Sequence, residues 1–125
     1  MTKRNIEVDD VLPDCVETAL EQVNDLLRDY IKDNSPDKIP LLGDLDYSGS
    51  VHEIVDGAVP IYTSQIEAAW FLHGSELEAA YENAGVGENP RESNGGAAIY
   101  FYIYEKVAEW YWRNAERIFE ELQPE

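Results

Sequence analysis

The C-terminal part of the chain carries its longest pattern of apolar positions. Between Asn94 and Leu122, apolar residues recur at spacings of three, four and seven, which is the periodicity of an α-helix. The apolar side chains form two adjoining stripes, so other helices must surround most of this helix. One stripe holds Tyr100, Tyr104, Val107, Tyr111, Ile118 and Leu122, and the other holds Phe101, Ala108, Trp112, Ala115 and Phe119. We expect Tyr104, Val107, Tyr111 and Ile118 to be largely buried.

A second amphipathic pattern predicts a helix from about Val11 to Asp33. Asp10 can cap its start, and Pro13 falls in the first turn, where a missing N–H costs nothing. Its apolar face consists of Leu12, Val16, Ala19, Leu20, Val23, Leu27, Tyr30 and Ile31. The opposite face carries an acidic file at steps of three or four residues, made of Asp10, Asp14, Glu17, Glu21, Asp25, Asp29 and Asp33.

The middle of the chain indicates a loop and three short helices. Residues 34–50 contain prolines and glycines typical of a loop, which Leu41, Leu42 and Tyr47 are expected to pin to the core. Three capping boxes then announce helices: Ser50 with Glu53 to about Gly57, Ser64 with Glu67 to about His73, and Ser75 with Glu78 to Gly85. The second of these is expected to bury Ile66, Ala69, Trp70 and Phe71.

These patterns predict an all-α fold, a compact bundle of about five helices around the long aromatic-rich C-terminal helix. A chain of 125 residues can bury a real core as one domain, with residues 1–9 expected to be flexible. The single cysteine leaves no internal disulfide, and the start of the chain has no apolar leader. The longest apolar run is far shorter than the roughly 20 residues that cross a bilayer. We therefore expect a cytoplasmic protein.

Acidic residues are concentrated in two segments of the chain. The sequence has 26 acidic and 9 basic residues, a net charge of -17. Residues 5–27 hold seven acids and residues 39–90 hold nine, with no Lys or Arg in either segment, so they account for sixteen of the seventeen net charges. Such charge repels nucleic acid and anionic membranes and favours a basic partner.

The candidate catalytic and metal motifs are incomplete. Asp44, Asp46, Ser48 and Gly49 match the first positions of a calcium loop, but the bidentate Glu position is occupied by Val55, which favours a turn that caps the next helix. His52 and His73 have no ligand partner at metal spacing and are interpreted as partly buried surface histidines, and Cys15 has no basic neighbour and is interpreted as a packed thiol. We expect no cofactor and no enzymatic activity, although 26 carboxylates leave acid–base pairs open.

The segment HGSELEAAYENAGVGENPRESNGGAAIYFYIYEKVAEWY, with the acidic stretch before it, resembles the small acidic helical proteins encoded by bacteriophages and mobile elements. Several of those are anti-CRISPR or anti-restriction inhibitors that mimic DNA. The resemblance implies an inhibitor of a host defence nuclease complex, acting in the bacterial cytoplasm without contacting nucleic acid or membrane itself.

Three functions are compatible with this sequence. The first is a nucleic-acid mimic that occupies a basic binding groove, the second an antitoxin-like or immunity-like interaction module, and the third a soluble protein of a salt-adapted organism. Segregated acids favour the first, because salt adaptation spreads acids over every exposed face. The sequence is compatible with a monomer and with a homodimer. The predicted partner-binding residues are Asp10, Asp14, Glu17, Glu21, Asp25, Asp44, Asp46, Glu53, Asp56, Glu67, Glu76, Glu78 and Glu82.

Overall fold

In the computed structural model, which describes residues 10–45, 50–85 and 96–123, the chain folds into five helices. They are α1 (Leu12–Asn34), α2 (Leu42–Leu45), α3 (Ser50–Ala58), α4 (Thr63–Asn83) and α5 (Gly96–Glu121). No described residue belongs to a β-strand. The all-α prediction is confirmed. None of the helices in these ranges combines the length and the apolar character that a membrane crossing requires.

Helix α5 is the centre of the fold, because α1, α3 and α4 all pack against it. Its buried side chains follow one another mostly at steps of four residues: Ala98, Ile99, Ile103, Val107, Tyr111, Ala115 and Ile118. Burial of Val107, Tyr111 and Ile118 is confirmed, whereas Tyr104 is only half-buried. Trp112, which was placed in the second apolar stripe, is 75% exposed. One residue beyond Tyr111 is a rotation of about 100°, which carries this indole past the covered side of the helix.

Helix α1 lies beside α5 and runs in the same direction. Leu12 and Tyr102 line one cavity near the start of both helices, and Arg28 forms an ion pair of 3.3 Å with Glu121 near their ends. The carboxylate of Asp10 accepts a hydrogen bond of 3.3 Å from the Leu12 backbone N–H, as expected of a residue that caps the helix. The buried residues of α1 are Leu12, Ala19, Val23, Leu27 and Ile31.

Helix α4 has a break where the sequence predicts the boundary between two helices. It spans Thr63 to Asn83, but the backbone of His73, at φ -130° and ψ 23°, is not helical, so two helical segments meet there at a kink. The residue that caps its start is Tyr62, and Ser64 makes no capping hydrogen bond there. Phe71 is 79% exposed instead of buried, because the face that α4 turns to the core carries Ile66, Ala69 and Trp70.

The side chains that attach the segment between α1 and α3 to the core differ from those predicted. Leu42 packs against the core and Leu45 is fully buried, but Leu41 is 59% exposed, and Tyr47 lies outside the described residues. The hydroxyl of Tyr111 donates a hydrogen bond to the backbone carbonyl of Pro40. Burial, with the nearby charge of Asp44, raises the pKa of Tyr111 to about 12, so the hydroxyl keeps its proton at neutral pH.

Replacing Tyr111 with Ala is expected to lower the free energy of unfolding by about 3 to 5 kcal/mol, because it opens a cavity in the core and leaves the Pro40 carbonyl without its donor. The matched control is Trp112→Ala, which removes a larger but exposed side chain and should change the free energy by less than about 0.5 kcal/mol. Urea unfolding followed by circular dichroism measures both values. Equal losses of unfolding free energy in the two variants would contradict the burial of Tyr111 in the core.

Candidate partner-binding surface

Four carboxylates form a file on the outer side of α1. Asp14, Glu17, Glu21 and Asp25 are all exposed, because the apolar positions between them turn toward α3 and α5. Their spacing of three or four residues corresponds to about 4.5 to 6 Å along the helix axis. Within the part of the chain that the structure describes, none of the four takes part in an ion pair. We call these four residues the α1 acidic file.

His73 connects the start of α1 with α4. Its Nε2 atom lies 2.9 and 3.0 Å from the two carboxylate oxygens of Asp10, and its Nδ1 atom lies 3.4 Å from Oε1 of Glu76. The imidazole is therefore held between one member of each acidic segment. His73 is also the residue at the kink of α4. Of the residues predicted to bind a partner, Asp10 and Glu76 are the pair that this contact brings together.

Residues of α5 complete the surroundings of His73. The hydroxyl of Tyr102 is hydrogen-bonded to Glu76, and burial, followed by the charges of Glu76, Asp10 and Glu109, raises the pKa of Tyr102. The ammonium of Lys106 lies 5.2 Å from the centre of the Tyr102 ring and 3.7 Å from a Glu109 carboxylate oxygen. The ammonium of Lys106 partly offsets the negative charge of the carboxylates around His73.

The balance of burial and charge decides the protonation of His73. Burial lowers its pKa, but the hydrogen bonds to Asp10 and Glu76 and the negative charges of both outweigh that effect, so the pKa of His73 is raised. A protonated imidazole donates from both nitrogens and so satisfies both carboxylates at once. The contact of His73 with Asp10 and Glu76 is therefore electrostatic and strengthens as the imidazole takes up a proton.

The other predicted acids lie elsewhere on the surface. Asp44 is near Tyr111, and nine residues separate Tyr111 from Tyr102, which corresponds to about 14 Å along α5. Asp56 lines a cleft beside Ala97 and Tyr100, at the start of α5. Glu53 on α3 is exposed, as are Glu67, Glu78 and Glu82 on α4. Asp46 lies outside the described residues. The acids that adjoin one another through α1 and His73 are thus the α1 acidic file, Asp10 and Glu76.

Asp44 and Cys15 both make contacts within the fold, one as a helix cap and the other in packing against the core. The carboxylate of Asp44 accepts a hydrogen bond of 2.9 Å from the Leu41 N–H at the start of α2, which is a capping interaction. Three of the four matched positions of the calcium motif, Asp46, Ser48 and Gly49, lie outside the described residues. Among the residues described, no group of three His, Cys, Asp or Glu side chains is arranged to hold a metal ion. Cys15 is half-buried against the core, and burial together with the charge of Asp14 raises the pKa of its thiol.

The sequence alone indicates no role for His73 beyond that of a partly buried surface histidine. One signal for its role was present, because Glu76 follows at a spacing of three residues and such residues are neighbours on a helix. The contact with Asp10 could not be predicted from the sequence, because Asp10 is 63 residues away and meets His73 only through the packing of α1 and α4 around α5.

Comparison with known proteins identifies no relative. No protein-family model matches the chain, and no curated protein or solved structure matches it.

We expect His73 to make the stability of the fold depend on pH. Because its pKa is higher in the folded state, the stabilisation is fully present below the ordinary histidine pKa of about 6.5 and is lost as pH rises through the folded-state value. The free energy of unfolding of the wild type should therefore fall as the pH rises above about 6.5. In His73→Gln this fall should be smaller.

Urea unfolding at a series of pH values measures this dependence, and His52→Gln is the control that removes the other histidine. The assignment is wrong if His73→Gln keeps the wild-type slope while His52→Gln loses it.

Proposed function

We propose that the protein inhibits a host defence nuclease complex by occupying a basic nucleic-acid-binding surface, with the carboxylates of α1 in the positions of phosphates. The observation that carries this proposal is the α1 acidic file. Its four carboxylates are exposed and without ion-pair partners among the described residues, and they continue through Asp10 and His73 to Glu76. A basic groove would find acceptors there that no internal cation already neutralises.

The spacing of the file decides which phosphates it can replace. From Asp14 to Asp25 the file covers about 16 Å with four charges, or one per about 5.5 Å. One strand of B-DNA carries one charge per about 3.4 Å of axis, and the duplex carries one per about 1.7 Å. The file therefore has about 0.6 of the charge density of a single strand. It suits a groove that grips one backbone at a few phosphate positions.

The cost of the arrangement supports a role in binding. Glu17, Glu21 and Asp25 form two i,i+4 pairs of like charge, each of which destabilises a helix by about 0.2 to 0.5 kcal/mol. No described basic residue forms an ion pair with these three carboxylates. Basic side chains of a partner would reduce the repulsion among them, so part of the electrostatic gain of binding comes from repulsion already present in the free protein.

Exposed apolar side chains favour a second candidate, an antitoxin-like or immunity-like interaction module. Ile61, Phe71 and Trp112 are 81%, 79% and 75% exposed, and large aromatic residues are enriched in protein interfaces. An interface built on these residues would depend little on charge. The two candidates therefore differ in how salt affects the complex.

The substitutions Glu17→Gln and Glu21→Gln together should weaken binding to a CRISPR effector or restriction enzyme by about two- to thirtyfold, which corresponds to two exposed charge contacts. The matched control is Glu116→Gln with Glu120→Gln on α5, which has the same spacing and the same change in net charge. The measurement is the protein concentration that halves DNA binding by the target. Equal effects of the two pairs would leave only the total charge as the cause.

Salt should weaken the complex steeply, because exposed charge contacts are screened at high ionic strength. Affinity is measured at about 50 mM and about 500 mM salt, where the Debye length shortens several-fold. A complex that keeps its affinity across this range, or that leaves DNA binding by the target intact, would support the interaction module in place of the mimic.

A further inference from the structure

Aromatic side chains cluster on the side of α5 that faces α3 and α4. The ring of Tyr100 lies 5.3 Å from that of Phe101, 6.3 Å from that of Tyr104 and 5.3 Å from the imidazole of His52. Tyr81 of α4 packs edge-on against Phe101 at 6.0 Å. The three α5 rings are only half-buried, although aromatic residues of a core helix are normally covered.

These rings form the floor of two clefts that meet. One cleft of about 520 Å³ is bounded by α3, the start of α4 and the start of α5, and the other, of about 530 Å³, lies between the end of α4 and α5. Both are lined by His52, Tyr100 and Phe101, so they adjoin one another at these three side chains. Each has the size of a small-molecule or side-chain binding site. We call the two adjoining clefts together the aromatic groove.

Two carboxylates are among the described residues that line the aromatic groove. Asp56 lines the first cleft and Glu105 the second, and the described residues that line either cleft include no Lys or Arg. The hydroxyl of Tyr100 is held by the imidazole of His52 at 2.7 Å, which fixes this ring in the floor. Aromatic faces are electron-rich and attract cations, and a nearby carboxylate adds to that attraction.

We infer that the aromatic groove binds an arginine side chain presented by a protein partner. A guanidinium is planar, stacks on aromatic faces and can donate two hydrogen bonds to one carboxylate, whereas an ammonium is more strongly hydrated. The net charge of -17 disfavours anionic ligands such as nucleotides. Ile61, which lines the first cleft and is 81% exposed, supplies an apolar contact for the backbone or a neighbouring side chain of the same partner.

This site is independent of the proposed mimicry. The surroundings of His73 include Tyr102, whereas the aromatic groove uses Tyr100 and Tyr104, and two residues correspond to a rotation of about 200° around α5. The α1 acidic file and the aromatic groove therefore lie on opposite sides of the central helix. Loss of one need not affect the other.

The first test compares two probes on the wild-type protein. N-acetyl-arginine methylamide is titrated against the protein, and the His52 and tyrosine ring resonances are followed by NMR. The neutral analogue N-acetyl-citrulline methylamide has nearly the same shape without the charge. We expect the arginine probe to shift these resonances in a saturable way and to bind at least about tenfold more tightly than the citrulline probe. Equal affinities would overturn the inference.

The second test locates the site with variants. Asp56→Asn combined with Glu105→Gln should weaken binding of the arginine probe several-fold, and the pair Glu116→Gln with Glu120→Gln, which changes the net charge equally, should not. Tyr104→Leu should weaken binding, whereas Tyr104→Phe should retain it because the ring face is kept. Circular dichroism and the unfolding midpoint confirm that each variant is folded. Equal weakening by the two charge pairs, or full binding by Tyr104→Leu, would refute an aromatic site for the cation.

Discussion

Burial of a single stripe on α5 is the interaction on which the rest of the structure depends. The side chains from Ala98 to Ile118 in this stripe are covered by α1, α3 and α4, so each of these helices takes its position from α5. The stripe moves slowly around the helix because residues four apart differ by about 40°. Tyr111 extends the same constraint to the segment before α2, where its hydroxyl holds the Pro40 carbonyl.

The position of the acidic residues is a consequence of that packing. Because the apolar side of α1 is used against α3 and α5, the α1 acidic file is left facing outward. At the start of α1 the structure adds a specific contact, in which the His73 imidazole lies between Asp10 and Glu76. This contact joins the two acidic segments through one imidazole whose pKa is raised by hydrogen bonds to both carboxylates and by their charges. Charge thus positions the start of α1 against α4, whereas the acids along the helix remain exposed.

The two sides of the first turns of α5 have different chemistry. On one side Tyr102 and Lys106 lie with acids of α1 and α4, and the hydroxyl of Tyr102 bonds to Glu76. On the other side Tyr100, Phe101 and Tyr104 are left half-exposed and form the aromatic groove. The alternation of Tyr, Phe and Ile in the run from Tyr100 to Tyr104 therefore places polar aromatic rings on two opposite surfaces. A charged surface and an aromatic surface therefore lie on opposite sides of α5.

The sequence by itself determined the all-α class, the central position of α5, the exposed acids of α1 and the burial of Val107, Tyr111 and Ile118, because helical periodicity and charge are local properties. The exposure of Trp112 and Phe71 could not be predicted from the sequence, since it depends on how many helices cover α5 and which face of α4 turns inward. The break within α4 was predicted from its capping box, since the sequence ends one helix at about His73 and the backbone of His73 is not helical. Its contact with Asp10 required the tertiary structure, because a pair separated by 63 residues meets only after α1 and α4 have packed around α5.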